Sequence, residues 1–395
     1  NLIKAKLSFT LTKSQKNVLN EINLDLLSKK RMFRIVQGDV GSGKTIVSLL
    51  AASNVIESGY QCALMAPTGI LAKQHFELFK EIYKEKNFKI DFLTGKTETK
   101  NRKDVLKNLE NGETNLLIGT HALFQKKINF KKLGLVIIDE QHKFGVKQRL
   151  ELAKKGGDNC DVLLMSATPI PRTMMMSLYG DMDISIRDEM PLNRIPVKTK
   201  VVNSERMGRV YDFIRKECLE TKQCIIVFPL IEESEKSDLA AAIEAHAKLG
   251  KVIFPDLEIG LVHGKMSSIE KELVINKFSK NKINILVSTT VIEVGIDIPN
   301  ATVILIEHAE RFGLTQLHQL RGRVGRGIFQ SYCILVRRNV TETSRKRLKI
   351  LEETNNGFKV ADEDLLLRGP GEFFGIKQSG FFQFKIANMV TDNEI

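Results

Sequence analysis

Gly38-Asp39-Val40-Gly41-Ser42-Gly43-Lys44-Thr45 is the stretch that decides how the rest of the chain is read. The run before it, Met32–Gln37 (MFRIVQ), has the length and apolar content of a short buried strand. The run after it, Thr45–Glu57, places Ile46, Leu49, Leu50, Val55 and Ile56 at helical spacing, and Gly59 supplies a stop. Strand, glycine-rich turn and helix in that order are the setting of a phosphate-binding loop. Backbone N–H groups around Gly38, Gly41, Ser42 and Gly43, together with the helix N-terminus, would cradle phosphates. Lys44 would reach the β- and γ-phosphates of ATP, and the Thr45 hydroxyl would ligate Mg²⁺. A glycine-rich turn that matches by chance is the competing reading, and the flanking strand and helix weigh against it.

The 395 residues suffice for two or three domains, and 43% hydrophobic with 27% charged residues is ordinary for a globular protein. No run of 18 apolar residues occurs, so no membrane span is expected. The first 30 residues lack the order of a secretory signal, and the chain opens on Asn1, as a piece of something longer would. Five cysteines without a C-x-x-C pair make neither a disulfide framework nor a zinc site, and fit a reducing cytoplasm. A net charge of +13 favours a polyanionic partner.

Ahead of the loop, Phe9-Thr10-Leu11-Thr12-Lys13-Ser14-Gln15 leads into a helical stretch, Gln15–Leu27. The Gln15 amide could pair with an adenine edge, although a lone Gln on a helix is more often solvated. Beyond the loop, apolar runs at Cys62–Ala66, Leu116–Gly119, Leu135–Ile138 and Val162–Met165 alternate with helical patterns. That rhythm predicts an α/β fold with a parallel sheet covered on both faces. The polar stretches that follow these runs, at Thr68, Gly119-Thr120, Asp139-Glu140 and Ser166-Ala167-Thr168, should then share one surface. There Asp139 could hold Mg²⁺, directly or through water, while Glu140 deprotonates an attacking water.

Residues 188–199, with Pro191 and Pro196, read as a linker. A second alternating series follows at Gln223–Leu230, Glu258–Val262, Lys282–Ser288, Thr302–Ile306 and Tyr332–Val336, without a phosphate loop of its own. Ser267 and Glu270 form the signature of a capping box. Gln319-Leu320-Arg321-Gly322-Arg323-Val324-Gly325-Arg326-Gly327 spaces arginines in a way a core is not expected to use. It reads either as an anion-binding loop or as arginine fingers aimed at a γ-phosphate. Ser344–Leu351 is a basic helical stretch, and Arg368-Gly369-Pro370-Gly371 reads as a shaped loop.

These residues together resemble a superfamily-two DNA helicase motor, and within that superfamily the RecG family. The elements are FTLTKSQ (9–15), GDVGSGKT (38–45), APTGILAKQH (66–75), GTHALF (119–124), DEQHKFGVKQR (139–149) and MSATPIPRT (165–173). FPLIEESEKSDL (228–239), VHGKM (262–266), STTVIEVGIDIPNAT (288–302), ERFGLTQLHQLRGRVGRG (310–327) and RGPGEFFGIKQSG (368–380) complete the set. The resemblance implies two tandem RecA-like parallel-sheet domains, residues 1–187 and 200–339, then a helical hairpin, loop and shortened tail over 340–395.

It also implies an ATP-hydrolysing motor on branched or duplex DNA, acting in repair and recombination. Within the family a single-stranded-DNA-binding protein is a partner, and a cytoplasmic monomer is the expected form. Phe9 and Gln15 would meet the adenine, Gly295 and Asp297 the ribose, and Arg323 and Arg326 the γ-phosphate. Thr68, Thr94, Gly119, Thr120, Thr289 and Thr290 would face DNA. His142 would couple the nucleotide site to Gln319 or to Ser166–Thr168, with a plain packed histidine as the alternative. Arg368 and Gln378 would couple closure to movement. Gly69 stands where the family pattern has Glu, and the family's N-terminal wedge domain has no counterpart before Asn1. The sibling class is the transcription-repair coupling translocase, which shares MSATPIPRT-like and RGPGE-like segments. A non-enzymatic nucleic-acid-binding module is supported by charge alone.

Overall fold

The computed structural model describes residues 9–95, 97–140, 154–157, 159–168, 182–187, 195–229, 235–289, 298–338 and 341–368. The chain divides into two compact units, one holding the described residues up to Arg187 and the other those from Ile195 onward.

The first unit is a seven-stranded parallel sheet. Its strands are β1 (Phe33–Gly38), β2 (Gln61–Met65), β3 (Ile90–Leu93), β4 (Leu116–Gly119), β5 (Leu133–Ile138), β6 (Asp161–Ser166) and β7 (Asp183–Arg187), in the order β3-β4-β2-β5-β6-β1-β7. The central strands read as unbroken apolar runs because helices cover both faces of a parallel sheet. Leu135, Val136, Ile137 and Ile138 of β5 are all completely buried. Strands β3 and β7 are the sheet's two edges, and their mixed sequences, IDFL and DISIR, lack the run that betrays a central strand. Both are additions to the strands expected from sequence.

Among the described residues, the helices that accompany this sheet include α1 (Lys13–Leu27), α2 (Lys44–Glu57), α3 (Gly69–Ile82) and α4 (Thr99–Asn111). α1 begins two residues before the stretch predicted for it, because Thr12 and Gln15 form a reciprocal capping box. Arg34 on β1 donates to Asp25 Oδ2 (2.5 Å), Glu21 Oε2 (3.0 Å) and Ser185 Oγ (2.7 Å), which pins α1 and β7 to β1.

The second unit is a six-stranded sheet in the order β10-β11-β9-β12-β13-β8. Its strands are β8 (Lys198–Asn203), β9 (Gln223–Phe228), β10 (Ile259–Val262), β11 (Ile285–Thr289), β12 (Ala301–Ile306) and β13 (Tyr332–Arg337), all paired in parallel. β8 starts at Lys198, inside the stretch read as a linker. It is an edge strand, so its sequence KTKVVN alternates where buried strands do not.

Among the described residues, the α-helices of this unit are α5 (Met207–Leu219), α6 (Glu235–Lys248), α7 (Ser268–Ser279), α8 (Leu314–Arg321), α9 (Glu342–Glu353) and α10 (Gly357–Arg368). The capping box read at Ser267 opens α7, with the Ser267 N–H donating to Glu270 Oε2 at 2.7 Å. Helices α8, α9 and α10 pack on one another, and Thr315 Oγ1 donates to the buried Asp364 carboxylate at 3.2 Å. Among the described residues no helix is long and apolar enough to cross a membrane.

Candidate nucleotide site

In the first unit the strands all run the same way, so their C-terminal ends line one edge of the sheet, as expected. The register sets Gln37 of β1 beside Ser166, Met65 beside Gly119, and Ile138 beside both Met65 and Leu164. The phosphate loop, Thr68, Gly119-Thr120, Asp139-Glu140 and Ser166–Thr168 therefore leave the sheet from that edge.

Gly41 (φ +76°) and Gly43 (φ +81°) take the left-handed conformation that lets the loop turn tightly onto α2. Gly43 caps α2 without any side-chain hydrogen bond, so no capping side chain stands between the start of this helix and an incoming anion. The Ser42 hydroxyl is buried with no hydrogen-bond partner among the described residues, and a phosphate oxygen would satisfy it. Lys44 Nζ donates to the carbonyls of Gly38 (2.7 Å) and Asp39 (2.9 Å). Thr45 is half-buried in the first turn of α2.

Gln15 departs from the solvated reading. It is buried, its Oε1 accepts from Thr12 N–H at 2.9 Å, and its Nε2 donates to the Ser42 carbonyl at 3.4 Å. The side chain is thus fastened to the phosphate loop, and one amide hydrogen and one lone pair are left for a ligand. Phe9 lies before α1 and is 46% exposed.

Asp139 is buried at the end of β5. Its Oδ2 lies 2.8 Å from His75 Nε2, and its Oδ1 accepts from the Glu140 N–H at 2.9 Å. Burial pushes the carboxyl up, but the His75 hydrogen bond and charge, the Lys44 charge and the Glu140 N–H outweigh it and hold Asp139 below the usual range. Glu140 adopts φ +50°, a rare conformation for a side-chain-bearing residue, and its Oε2 accepts from the Ala167 N–H at 3.3 Å. Ser166 Oγ accepts from Thr168 N–H at 3.2 Å, and Gln37 Nε2 donates to the Thr168 carbonyl, also at 3.2 Å. The structure thus joins the two acidic residues to the Ser166–Thr168 turn, and that turn to Gln37 directly before the phosphate loop. Sequence reading passed over His75 and Gln37. The available signal for His75 was an imidazole in an apolar helical stripe, which is ordinarily a satisfied core histidine.

The residues expected to face DNA sit at strand ends or helix starts. Thr68 caps α3, accepting from Leu71 N–H at 3.2 Å. Thr94 N–H donates to Thr97 Oγ1 at 2.9 Å, and buried Thr120 donates its N–H to the Leu93 carbonyl at 3.3 Å. A Cβ on Gly119 would lie 2.0 Å from the Leu93 carbonyl oxygen, so close strand approach alone requires glycine there. In the second unit Thr289 ends β11, buried, with a hydroxyl that has no partner among the described residues.

The arginine-rich segment differs from expectation. Arg321 and Arg323 are both buried, so a core does use part of this pattern. Arg321 Nη1 donates to the carbonyls of Leu351 (2.8 Å) and Thr354 (2.9 Å), and Nη2 meets His318 Nδ1 at 2.8 Å. It fastens α8 to the end of α9. Arg326 is half-buried and donates from Nε to the Gly322 carbonyl at 3.2 Å, while Gln319 is half-buried on α8. Thr290, Gly295, Asp297, His142, Gln378 and the Arg368 side chain lie outside the described residues.

Three family profiles match the chain. Residues 12–176 match the DEAD/DEAH box helicase family, and residues 205–327 match the helicase conserved C-terminal domain. Residues 354–395 match the ATP-dependent DNA helicase RecG, domain 3, C-terminal. The chain is 50% identical over 389 residues to the ATP-dependent DNA helicase RecG of Synechocystis sp., covering 98% of this chain and 47% of that protein.

The chain belongs to the RecG-type superfamily-two helicases.

The RecG of Bacillus subtilis is likewise 50% identical, over 98% of this chain and 56% of its own length. A solved structure of RecG bound to a three-way DNA junction superposes with a TM-score of 0.83 at 45% identity, over 100% of this chain and 51% of that one. The chain spans about half the length of the RecG relatives it matches. Yeast Dbp5 bound to RNA and ADP BeF3 shares the two-sheet fold, with a TM-score of 0.67 at 18% identity, over 93% of this chain and 94% of that one. The RecG match takes in the segment after the second sheet as well as both sheets, and does not favour the transcription-coupled sibling.

Proposed function

We propose that this chain is the motor of an ATP-dependent DNA helicase that moves on duplex DNA to remodel branched DNA in repair and recombination. The observation that carries the reading is the hydrogen-bonded set of Asp139, Glu140 and Ala167 at the sheet edge beside the phosphate loop, in a chain half-identical to RecG. The proposed motor comprises lobes 1–187 and 200–339 with a coupling segment after them.

Phosphates would be held by the α2 N-terminus, the Ser42 hydroxyl and Lys44, once Lys44 gives up its two carbonyl partners. Gln15 would read the adenine edge from its anchored position. The donor set fits Mg²⁺: a threonine hydroxyl and a carboxylate are hard oxygen ligands, and Mg²⁺ shares its shell with phosphates and water. Thr45 and Asp139 would hold it, and when bound it neutralises charge building on the phosphates. Glu140 would take the proton of the attacking water, and its link to Ala167 would carry the state of the site to the Ser166–Thr168 turn. Gly295, Asp297, Arg323 and Arg326 would complete the nucleotide site, with His142, Gln319, Arg368 and Gln378 in coupling. Thr68, Thr94, Gly119, Thr120, Thr289 and Thr290 would contact the DNA backbone, giving weak sequence preference and strong salt dependence.

The test is phosphate release and strand displacement on a three-way junction, with linear duplex as control and no polymerase present. Wild type should release phosphate faster on the junction and displace a strand. Lys44→Ala should lose nucleotide binding and turnover together. Glu140→Gln should bind a fluorescent ATP analogue normally and lose at least about 10²-fold in turnover. Full turnover in Glu140→Gln, or no strand displacement by wild type, would refute the reading.

A further inference from the structure

Helix α3 turns Leu71, Ala72, His75 and Phe79 inward. His75 stands in the middle of that stripe, its side chain 4% exposed, with its Nε2 2.8 Å from Asp139 Oδ2. Its ring edge also meets Phe79, with centroids 6.4 Å apart at 85°. Burying an imidazole against a carboxylate costs desolvation, and apolar side chains of similar volume would hold the helix at least as well. Packing therefore does not account for the pair. Its geometry suggests another use. Among the described residues Asp139 receives Glu140 N–H on Oδ1 and His75 on Oδ2, one donor on each oxygen, and the two together fix the plane of the carboxylate. Of these donors, the Glu140 N–H belongs to the next residue in the chain. His75 is the one brought from a separate element.

We propose that His75 is a positioning residue for ATP hydrolysis: its Nε2–H sets the orientation of Asp139 for the metal–nucleotide complex and ties that orientation to α3. The proposal rests on the ATPase reading given above. The helix gives the contact a second consequence. α3 is capped by Thr68, one of the residues expected to face DNA, and His75 lies seven residues further on, about 10 Å along the axis. A displacement of α3 at its capped end moves His75, and with it the carboxylate. Outer-shell partners of metal-binding side chains act in this way, and their loss costs about 10–100-fold in metal affinity.

The experiment titrates Mg²⁺ against the anisotropy of a slowly hydrolysed fluorescent ATP analogue bound to the intact chain. His75→Phe keeps the ring and its edge contact with Phe79 but removes the donor. Its Mg²⁺ midpoint should rise about tenfold or more, while analogue binding in EDTA stays within about threefold of wild type. His75→Gln retains an amide donor and should return the midpoint to within about threefold. An unchanged midpoint in His75→Phe overturns the proposal, as does an equal loss of binding with and without Mg²⁺. Should His75→Phe fail to fold, His75→Met replaces it as a flexible apolar substitute. If neither donorless variant folds while His75→Gln does, the pair is a packing element and the proposal falls. If wild type shows no Mg²⁺-dependent binding, or Lys44→Ala binds like wild type, the fault lies in the ATPase reading and not in His75.

Discussion

Arg321 and Arg323 stand two residues apart, and a pattern of alternating arginine and glycine gives no means of telling them apart. Their surroundings do. Arg321 is committed to the Leu351 and Thr354 carbonyls and to His318, so its guanidinium acts as a rivet between α8 and α9. Arg326 is half-buried and donates to the Gly322 carbonyl, a partner it can exchange. If Arg323 and Arg326 act on charge that develops during hydrolysis, alanine at either should cut DNA-free kcat by about 10²-fold and leave nucleotide affinity within a few-fold. Arg321→Ala should instead lower stability by about 2–3 kcal/mol, because it strands buried carbonyls. Basal hydrolysis and thermal melting of the three variants separate the roles. An unaltered basal rate in both Arg323→Ala and Arg326→Ala would leave a DNA-contact loop as the better reading. The same limit explains why His75 was not legible. Its partner is 64 residues away, and helical periodicity reports which face is buried, not what waits there. By contrast, the positions of Asp139 and Glu140 were legible because they directly follow a strand that reads plainly, and that of Lys44 because it opens the helix after a glycine-rich turn.

At the scale of elements, the central strands, the edge strand β10 and the Ser267 cap were read correctly, while the Thr12 cap and three edge strands were not. β5 and, after Gln223, β9 are runs of apolar residues because they are covered on both faces, whereas β3, β7 and β8 are edge strands whose side chains alternate or mix. α3 offers a direct test of local reasoning. Gly69 is its first residue, directly after the Thr68 cap, and a Cβ there would meet nothing within 4 Å. The backbone is in no left-handed strain, so the glycine brings only the entropy it costs the folded helix. Glu at this position would reduce that cost and place a negative charge at the positive end of the helix dipole. Gly69→Glu should therefore stabilise the chain by about 0.5–1 kcal/mol, read as a higher midpoint in urea with an unchanged slope. The electrostatic part should shrink in high salt. A lower midpoint would mean that the exposed start of α3 tolerates no side chain.

At the scale of the whole molecule, the two-sheet plan followed from the rhythm of runs and helices, since each βαβ unit must bury its strand between helices. The five cysteines show how completely that burial is carried through. Scattered spacing excluded a disulfide framework, but sequence alone did not say whether these thiols face water. All five are free and buried. Burial pushes Cys160, Cys218 and Cys333 up to about 12, and Cys62 and Cys224 well above the ordinary thiol range. The thiolate is the reactive form, so both access and ionisation oppose reaction in the folded state. Native protein at pH 8 should consume almost no thiol reagent over a period in which protein unfolded in guanidinium titrates all five. Cys62 and Cys160 lie in the first unit and Cys218, Cys224 and Cys333 in the second, so mass spectrometry of labelled peptides reports the opening of each unit separately. Labelling of any one cysteine at the rate of a free thiol in native conditions would show that its strand or helix is not closed as described. Cys218, near the end of α5 beside the exposed Leu219, is where such a breach would appear first, because helix ends fray before strand centres open.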